Sequence, residues 1–361
     1  MTEPSPSTRL AVPPGLGWTD RRRMDPSATG RHDGGRRAAL DRMLVALAAA
    51  PSIHNTQPWL VHVAPDHIDV HPDRSRLLPV LDPAGRELAV SVGAAVFNLR
   101  LAMLVHGHTP VLTVLTSADR ARVVARVTPG PPEAPPAAAQ MLAWAVPRRH
   151  CNRQPFTGRP VRAEVLAELR AAAAAEGARL VVAGPVHRKI IFSLARAAER
   201  QQRKDTAYRR ELAEWTGDRS SRFDGVPAEA FGPRSTREAV PVRDFVAPRG
   251  RRLTTVDFEP EPTIAVLYTD GDTPGHWLRA GQALQRTLLT ATLRRLAASL
   301  ISQPLEVPEL RAVLGVGGWS AQMILRLGHA PPGPPTPRRP PGLFLAEPPP
   351  AGAPWLGPSR T

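Results

Sequence analysis

Cysteine occurs once in 361 residues, tyrosine twice, and only two of the 47 basic side chains are lysines. Each shortage excludes something. Cys151 alone cannot form an intramolecular disulfide or a cysteine-built metal centre, which fits a reducing compartment and a cytoplasmic address. A formal charge of +15 would suit a polyanion, but a nucleic-acid surface gathers its cations into a patch. Here the arginines are scattered among alanines and prolines along the whole chain, which argues against nucleic acid as a partner. Uninterrupted apolar runs are missing too. Alanine-rich stretches are broken by Arg or Glu every few positions, short of the roughly 20 apolar residues of a membrane helix, so no span is expected. The first 36 residues lack the apolar centre and small-residue cleavage site of a secretory signal. Phosphate-cradling loops are also absent. There is no G-x-x-x-x-G-K-[ST], "GVGGWS" at 315–320 has neither the spacing nor the context of a dinucleotide fingerprint, and no G-x-S-x-G marks a serine hydrolase.

Proline and arginine are abundant, and proline divides the chain. Residues 1–36 are polar, basic and without period, and read as a disordered segment. The tail 341–361 is proline-rich and reads as non-helical. Between them, 38–50 carries Leu and Met at helical spacing and stops at Pro51. Residues 59–72 alternate as a hairpin around a Pro-Asp turn, and 86–106 predicts a long helix ending near Gly107. Strands follow at about 111–117 and 121–128, then "PGPPEAPPAAAQ" as a linker, placing a boundary within 129–147. A first unit thus covers 37–147 and a second 148–340. The second predicts helices at 162–176 and 187–214, a strand "ARLVVA", an insertion at about 217–252 that could serve as a lid, a strand "TIAVLYTD" and a helix 274–300. "GAAVFNLRLAMLV" from Gly93 aligns with "GQALQRTLLTATL" from Gly281. Each is apolar nearly all round, as helices buried in a shared centre would be, which suggests a duplicated α+β architecture.

Two segments carry candidate chemistry. "APSIHNTQPW", 50–59, offers Ser52, His54, Asn55 and Gln57, a mixture of donors and acceptors suited to the edge of a polar heterocycle or a sugar-like chain. The plain alternative is a turn in which Ser52 or Asn55 satisfies backbone groups. "RRHCNRQPF", 148–156, sets Arg149 and Arg153 four apart, within reach of one dianionic phosphate, with Asn152 between them; Arg338 and Arg339 form a second basic pair. The alternative here is solvated surface arginine. "SQPLEVPELR", 302–311, is a third loop, whose prolines ordinary helix termination explains equally well. His62, His67 and His71 invite a metal, but without a carboxylate at ligand spacing they read as surface histidines, and no metal site is expected.

Taken together, "APSIHNTQPW", "DPAGRELAVSVGAAVFNLRLAMLVHG", "RRHCNRQPF", "SQPLEVPELR" and "LRLGHAPPGPPTPRRP" span about residues 38–340 and resemble the flavin-dependent nitroreductases, within them the Acg-like group of two-repeat actinobacterial chains. The resemblance implies an α+β nitroreductase fold in tandem repeat, with antiparallel sheets and long buried central helices. Ordinary members are homodimers with FMN at the interface. In this chain one polypeptide would imitate the dimer, as a monomer or a weakly paired homodimer, with a single complete flavin site. By position, Arg149 and Arg153, helped by Arg338 or Arg339, would hold the FMN phosphate. Ser52, His54, Asn55 and Gln57 would face the ribityl chain and ring, with Asn152 beside them, and the 302–306 loop would approach the ring through backbone amides. Cys151 stands where the family has serine or threonine. The implied activity is ping-pong hydride transfer from NAD(P)H through FMN to a small electron-poor acceptor such as a nitroaromatic or quinone, with no side chain needed as acid or base. The rival reading is a protein that sequesters or stores FMN without turnover.

Overall fold

The computed structural model describes residues 29–116, 123–217, 222–236, 240–241, 243, 245 and 254–347. The first helix, α1 (Thr29–Ala48), begins inside the segment expected to be disordered. It buries Met43, Leu44, Leu47 and Ala48, one stripe at helical spacing, and ends before Pro51. Strands β1 (Trp59–Val63) and β2 (Ile68–Pro72) form the expected antiparallel hairpin. Helix α2 (Arg86–Val105) starts where the Asp82 carboxylate accepts the Leu88 amide at 2.8 Å. It ends at Gly107, whose φ of +86° suits glycine. Strands β3 (His108–Thr116) and β4 (Val123–Pro132) complete an antiparallel sheet of order β1-β2-β4-β3. The expected linker is mostly structured: β4 runs through Pro132 and α3 (Ala137–Ala145) begins five residues later.

The second sheet has order β5-β8-β10-β9 and is also antiparallel. Helix α4 (Ala163–Ala174) leads to β5 (Arg179–Val182). The single helix expected over 187–214 is two, α5 (Pro185–Lys204) and α6 (Thr206–Glu214). Asp205 separates them: its backbone is extended and its carboxylate caps α6 by accepting the Ala207 and Tyr208 amides. The two-residue strands β6 (Arg234–Ser235) and β7 (Thr255–Val256) pair in parallel. Next come β8 (Thr263–Thr269), α7 (Pro274–Leu293), β9 (Ala297–Leu300), α8 (Pro308–Val313) and β10 (Ser320–Gly328). The helix expected to reach residue 300 stops at Leu293, because Arg295 turns left-handed at φ +56° and reverses the chain into β9. Strand β10, central in its sheet and buried along most of its length, has no counterpart in the sequence reading.

Helices α2 and α7 cross at the centre. The two glycines that aligned in sequence meet there: a Cβ on Gly93 would overlap the Leu278 carbonyl, and one on Gly281 the Val90 carbonyl. Nearby, the Gln285 side-chain amide donates to Asn98 Oδ1 at 2.7 Å, both residues being fully buried. Among the described residues α2 is the one helix long and apolar enough to cross a membrane; 78% of it is buried inside this fold, as a core helix should be.

Two peripheral segments complete the picture. Part of the expected proline-rich tail packs on the first sheet: Val61 donates to Phe344 at 2.8 Å, Ala346 donates back to Val61 at 2.9 Å, and Phe344 is buried. A short 3-10 turn, Pro341–Leu343, precedes it, so that stretch is locally helical after all, and 348–361 lie outside the described residues. Of the insertion, Val226, Phe231 and Phe245 join an apolar cluster with Leu78, Leu81 and Leu212. It packs on residues from both halves.

Candidate functional site

A cavity of about 1100 Å³, counted with its open mouth, lies where the loop after α1, the helices α2 and α7, the strands β9 and β10 and the insertion converge. Its walls are mixed: Val90 and Leu284 come from the central helices, Leu300 and Met323 from the second sheet, and the rest is largely polar.

The 50–59 segment forms one wall, in a tight conformation. His54, Asn55 and Gln57 have φ of +44°, +54° and +49°, the left-handed region that non-glycine residues occupy only when their surroundings hold them there. The holding groups are visible. Ser52 Oγ accepts the Gln57 amide at 2.9 Å, and the Ile53 amide donates to Ser91 Oγ on α2 at 3.1 Å. Asn55 Nδ2 donates to the Gly225 and Pro337 carbonyls at 2.9 and 3.0 Å, while its Oδ1 accepts Arg338 Nη1 at 3.0 Å. Gln57 Nε2 donates to the Phe223 carbonyl at 2.8 Å, and its Oε1 accepts the Arg339 amide at 2.7 Å. One short loop thus ties down both the insertion and the 336–339 segment.

The structure brings Ser52, His54, Asn55, Arg149, Arg153 and Arg338 to the cavity wall. Gln57, Asn152 and Arg339 are not on it. Gln57 is spent on the bonds just given. Asn152 donates to the Pro331 carbonyl at 2.7 Å and accepts the Gln154 amide at 2.9 Å. Arg339 donates to the Gln57 carbonyl at 2.9 Å and also to the Leu343 carbonyl, with Asp73 4.0 Å away. Of the 302–306 loop, Ser302 reaches the wall, but the Leu305 and Glu306 amides are already bonded to the loop's own Ser302 carbonyl at 2.8 and 3.2 Å.

Charge is distributed unevenly around the cavity. Arg149 donates to the Ala49 carbonyl at 3.3 Å, and Arg153 to the Ala230 carbonyl at 2.6 Å with its guanidinium 4.7 Å from the Phe245 ring centre. Among the described residues neither these two nor Arg338 forms an ion pair with a carboxylate. Burial, followed by repulsion from Arg149, pushes Arg338 down to about 9. Burial and, among neighbours, the like charge of Arg243 lower Arg153, while Cys151 acts in the opposite sense. His54 is held well below its usual range, first by burial and then by Arg243 and Arg153, so the imidazole is neutral. The buried atoms His54 Nε2, Arg149 Nε and Arg338 Nε have no hydrogen-bond partner. Buried donors left this way are costly unless something meets them. A polyanionic ligand with hydrogen-bonding oxygens answers that need, and the donor set fits the phosphate and polar edge of a flavin nucleotide.

Three further charged residues on this wall were not singled out as site residues from the sequence. Arg326 on β10 pairs with Glu259 at 2.6 and 2.8 Å. Arg243, from the insertion, is paired with Glu306, bonded to Tyr208, and donates to Ser302 Oγ at 3.1 Å. Glu87 on α2 pairs with its neighbour Arg86, yet burial pushes its carboxyl up to about 7. In sequence these are an arginine in an apolar run, an arginine in a loop and a glutamate at a helix start. Only the fold collects them.

Comparison with known proteins agrees in direction. No family model matches the chain. Over 311 residues, 82% of this chain and 88% of the other, it is 35% identical to a Mycobacterium tuberculosis protein provisionally named an NAD(P)H nitroreductase. Over 305 residues, 81% of this chain and 90% of the other, it is 29% identical to the M. tuberculosis protein acg, provisionally named in the same way. Among solved structures it is similar to a nitroreductase from Desulfovibrio desulfuricans in complex with FMN, at 18% identity and a TM-score of 0.33 over 58% of this chain and 98% of that one.

Proposed function

The chain belongs to the nitroreductase family, and from that premise we propose that it binds FMN in this cavity and acts as an NAD(P)H-dependent oxidoreductase toward a small electron-poor acceptor, a nitroaromatic or a quinone. The observation that carries the reading is the set of arginines on this wall, Arg149 buried and Arg153 and Arg338 half-buried, none of which pairs with a carboxylate among the described residues. Such a set is destabilising alone and complementary to a phosphate dianion. When bound, FMN would supply the redox chemistry, which we propose is hydride transfer from the nicotinamide and reduction of the acceptor in ping-pong order.

The residues of the chain bind and orient. Arg149 and Arg338 would hold the phosphate. Ser52 and Asn55 would meet the ribityl hydroxyls, and the neutral His54 would face the ring with an unspent nitrogen. Gln57, Asn152 and Arg339 keep the walls in place from behind. No side chain is assigned as general acid or base; solvent provides the proton. The two halves, each with a four-stranded sheet and one long central helix, would imitate in one polypeptide the two subunits of a dimer.

One observation favours the second reading, storage without turnover: Val240, Pro241, Arg243 and Phe245 of the insertion all line the cavity and could keep a nicotinamide out. The test begins with the colour of the purified protein and the identity of the released pigment. NAD(P)H oxidation in the presence of a quinone then separates the two. FMN-loaded protein that oxidises neither NADH nor NADPH would leave storage as the function, and a colourless protein that takes up no added FMN would remove both readings.

A further inference from the structure

The β1–β2 hairpin carries a polar cluster that the cavity does not use. The pairing register sets His62 on β1 directly opposite Asp69 on β2. Alternation along β2 puts His67 on the same face, two residues before Asp69. One ligand-capable atom from each of His62, His67 and Asp69 lies within 4.8 Å of the other two. The carboxylate that seemed absent from the sequence is therefore present: seven positions from His62 along the chain, it is brought across by the hairpin.

A second observation shows how the cluster is oriented. His67 Nδ1 lies 2.6 Å from Asp66 Oδ1 in the turn, and its Nε2 points toward Asp69 Oδ2 at 3.4 Å. A histidine whose first ring nitrogen is held by one carboxylate has its second nitrogen's lone pair aimed, which is how metal-ligating imidazoles are commonly supported. Two imidazoles and one carboxylate, with room for water at the remaining position, match the donor set of an open tetrahedral zinc site.

We propose that His62, His67 and Asp69 form a Zn²⁺ site on the hairpin, with Asp66 as the positioning residue for His67. The donor atoms have to draw together to the roughly 3.3 Å edge of a tetrahedral shell. His62 and His67 are only partly buried and have freedom to turn, whereas Asp69 is fixed. What fixes it is Arg126, which donates Nε and Nη2 to the two Asp69 oxygens at 2.8 Å each. Each carboxylate oxygen has two lone pairs, so the Asp69 oxygen facing His67 keeps one for a metal. The guanidinium nevertheless repels a dication. Arg126 therefore sets a modest affinity, and removing it strengthens the site.

The test is calorimetric titration of the full chain with ZnCl₂ in a non-chelating buffer, backed by the visible absorption of the Co²⁺-loaded protein. The expected result is one equivalent of Zn²⁺ and a Co²⁺ band of four-coordinate intensity. Saturable binding should be lost in His62→Ala/His67→Ala, weakened roughly 10–100-fold in Asp66→Asn, and tightened several-fold in Arg126→Gln. Thermal unfolding in the absence of metal establishes that each variant is folded. No saturable heat with the wild-type chain, or the same isotherm for the double-histidine variant, would overturn the site. Weaker or unchanged binding in Arg126→Gln would overturn the repulsive role of Arg126, unchanged binding in Asp69→Asn would overturn Asp69 as a ligand, and unchanged binding in Asp66→Asn the positioning role of Asp66.

Discussion

Two groups of arginines face the same cavity under opposite conditions. Arg326 and Arg243 are buried with a carboxylate each, Glu259 and Glu306. Arg149 is buried and Arg338 half-buried, each bonded to carbonyl oxygens and near enough to repel the other, with no carboxylate partner among the described residues. A paired buried charge is part of the scaffold, since removing its partner leaves an uncompensated ion inside. An unpaired one is a cost the folded chain carries until a ligand offsets it. The difference separates residues that build the cavity from those that wait for its occupant, a distinction residue type alone does not make.

The comparison breaks most visibly at Glu259. Glu259→Ala should cost about 3–5 kcal/mol of folding stability in urea denaturation, because Arg326 is 1% exposed and pairs with no other carboxylate among the described residues. Arg149→Ala or Arg338→Ala should do the reverse. Unfolding of the flavin-free protein should be unchanged or slightly harder, while FMN affinity by fluorescence titration falls by about 2–3 kcal/mol, roughly 30–150-fold. If both arginine variants bound FMN as the wild type does, the phosphate assignment would be wrong. Glu306→Gln should lie between. It weakens the pairing of Arg243 with the 302–306 loop, lowering stability by about 1–3 kcal/mol. It should also raise the rate of NAD(P)H oxidation if the insertion restricts access.

The last expected effect concerns Glu87, whose folded carboxyl sits at about 7 against an ordinary 4.5. The folded state then binds more protons than the unfolded state between those two values. The stability from this group is thus complete below about pH 4.5 and is lost as pH rises through 7. Glu87→Gln should flatten the decline between pH 5 and 7 by about 2 kcal/mol, read as the pH dependence of the unfolding midpoint.

How far the sequence revealed these arrangements depended on where each signal lay. The hairpin, α2 and the polar loop at 52–57 were legible because turn chemistry and periodicity are local. The end of α7 was not: "RRLAASL" keeps a helical pattern, and the reversal at Arg295 uses a left-handed residue that is not glycine. Strand β10 escaped because a strand buried on both faces shows no alternation. In the site, Asn55 and Arg338 were nameable from motifs, whereas Arg243 and Glu87 enter only through long-range packing. Gln57 and Arg339 were recognised as belonging together, but the motif did not reveal that they bond to each other behind the wall. Asp69 was overlooked because register, rather than spacing, brings it to His62.

The meeting of Gly93 and Gly281 bears on how anything could enter. Where two helices touch through backbone alone there are no side chains to change rotamer and absorb a sliding motion. Val90 and Ser91, just before Gly93, and Leu284, just after Gly281, line the cavity, so that side of it is tied to this backbone contact. Sliding of one helix past the other is therefore an unfavourable way to open the cavity, and among its lining residues those of the insertion and of the 52–55 loop stand clear of this contact.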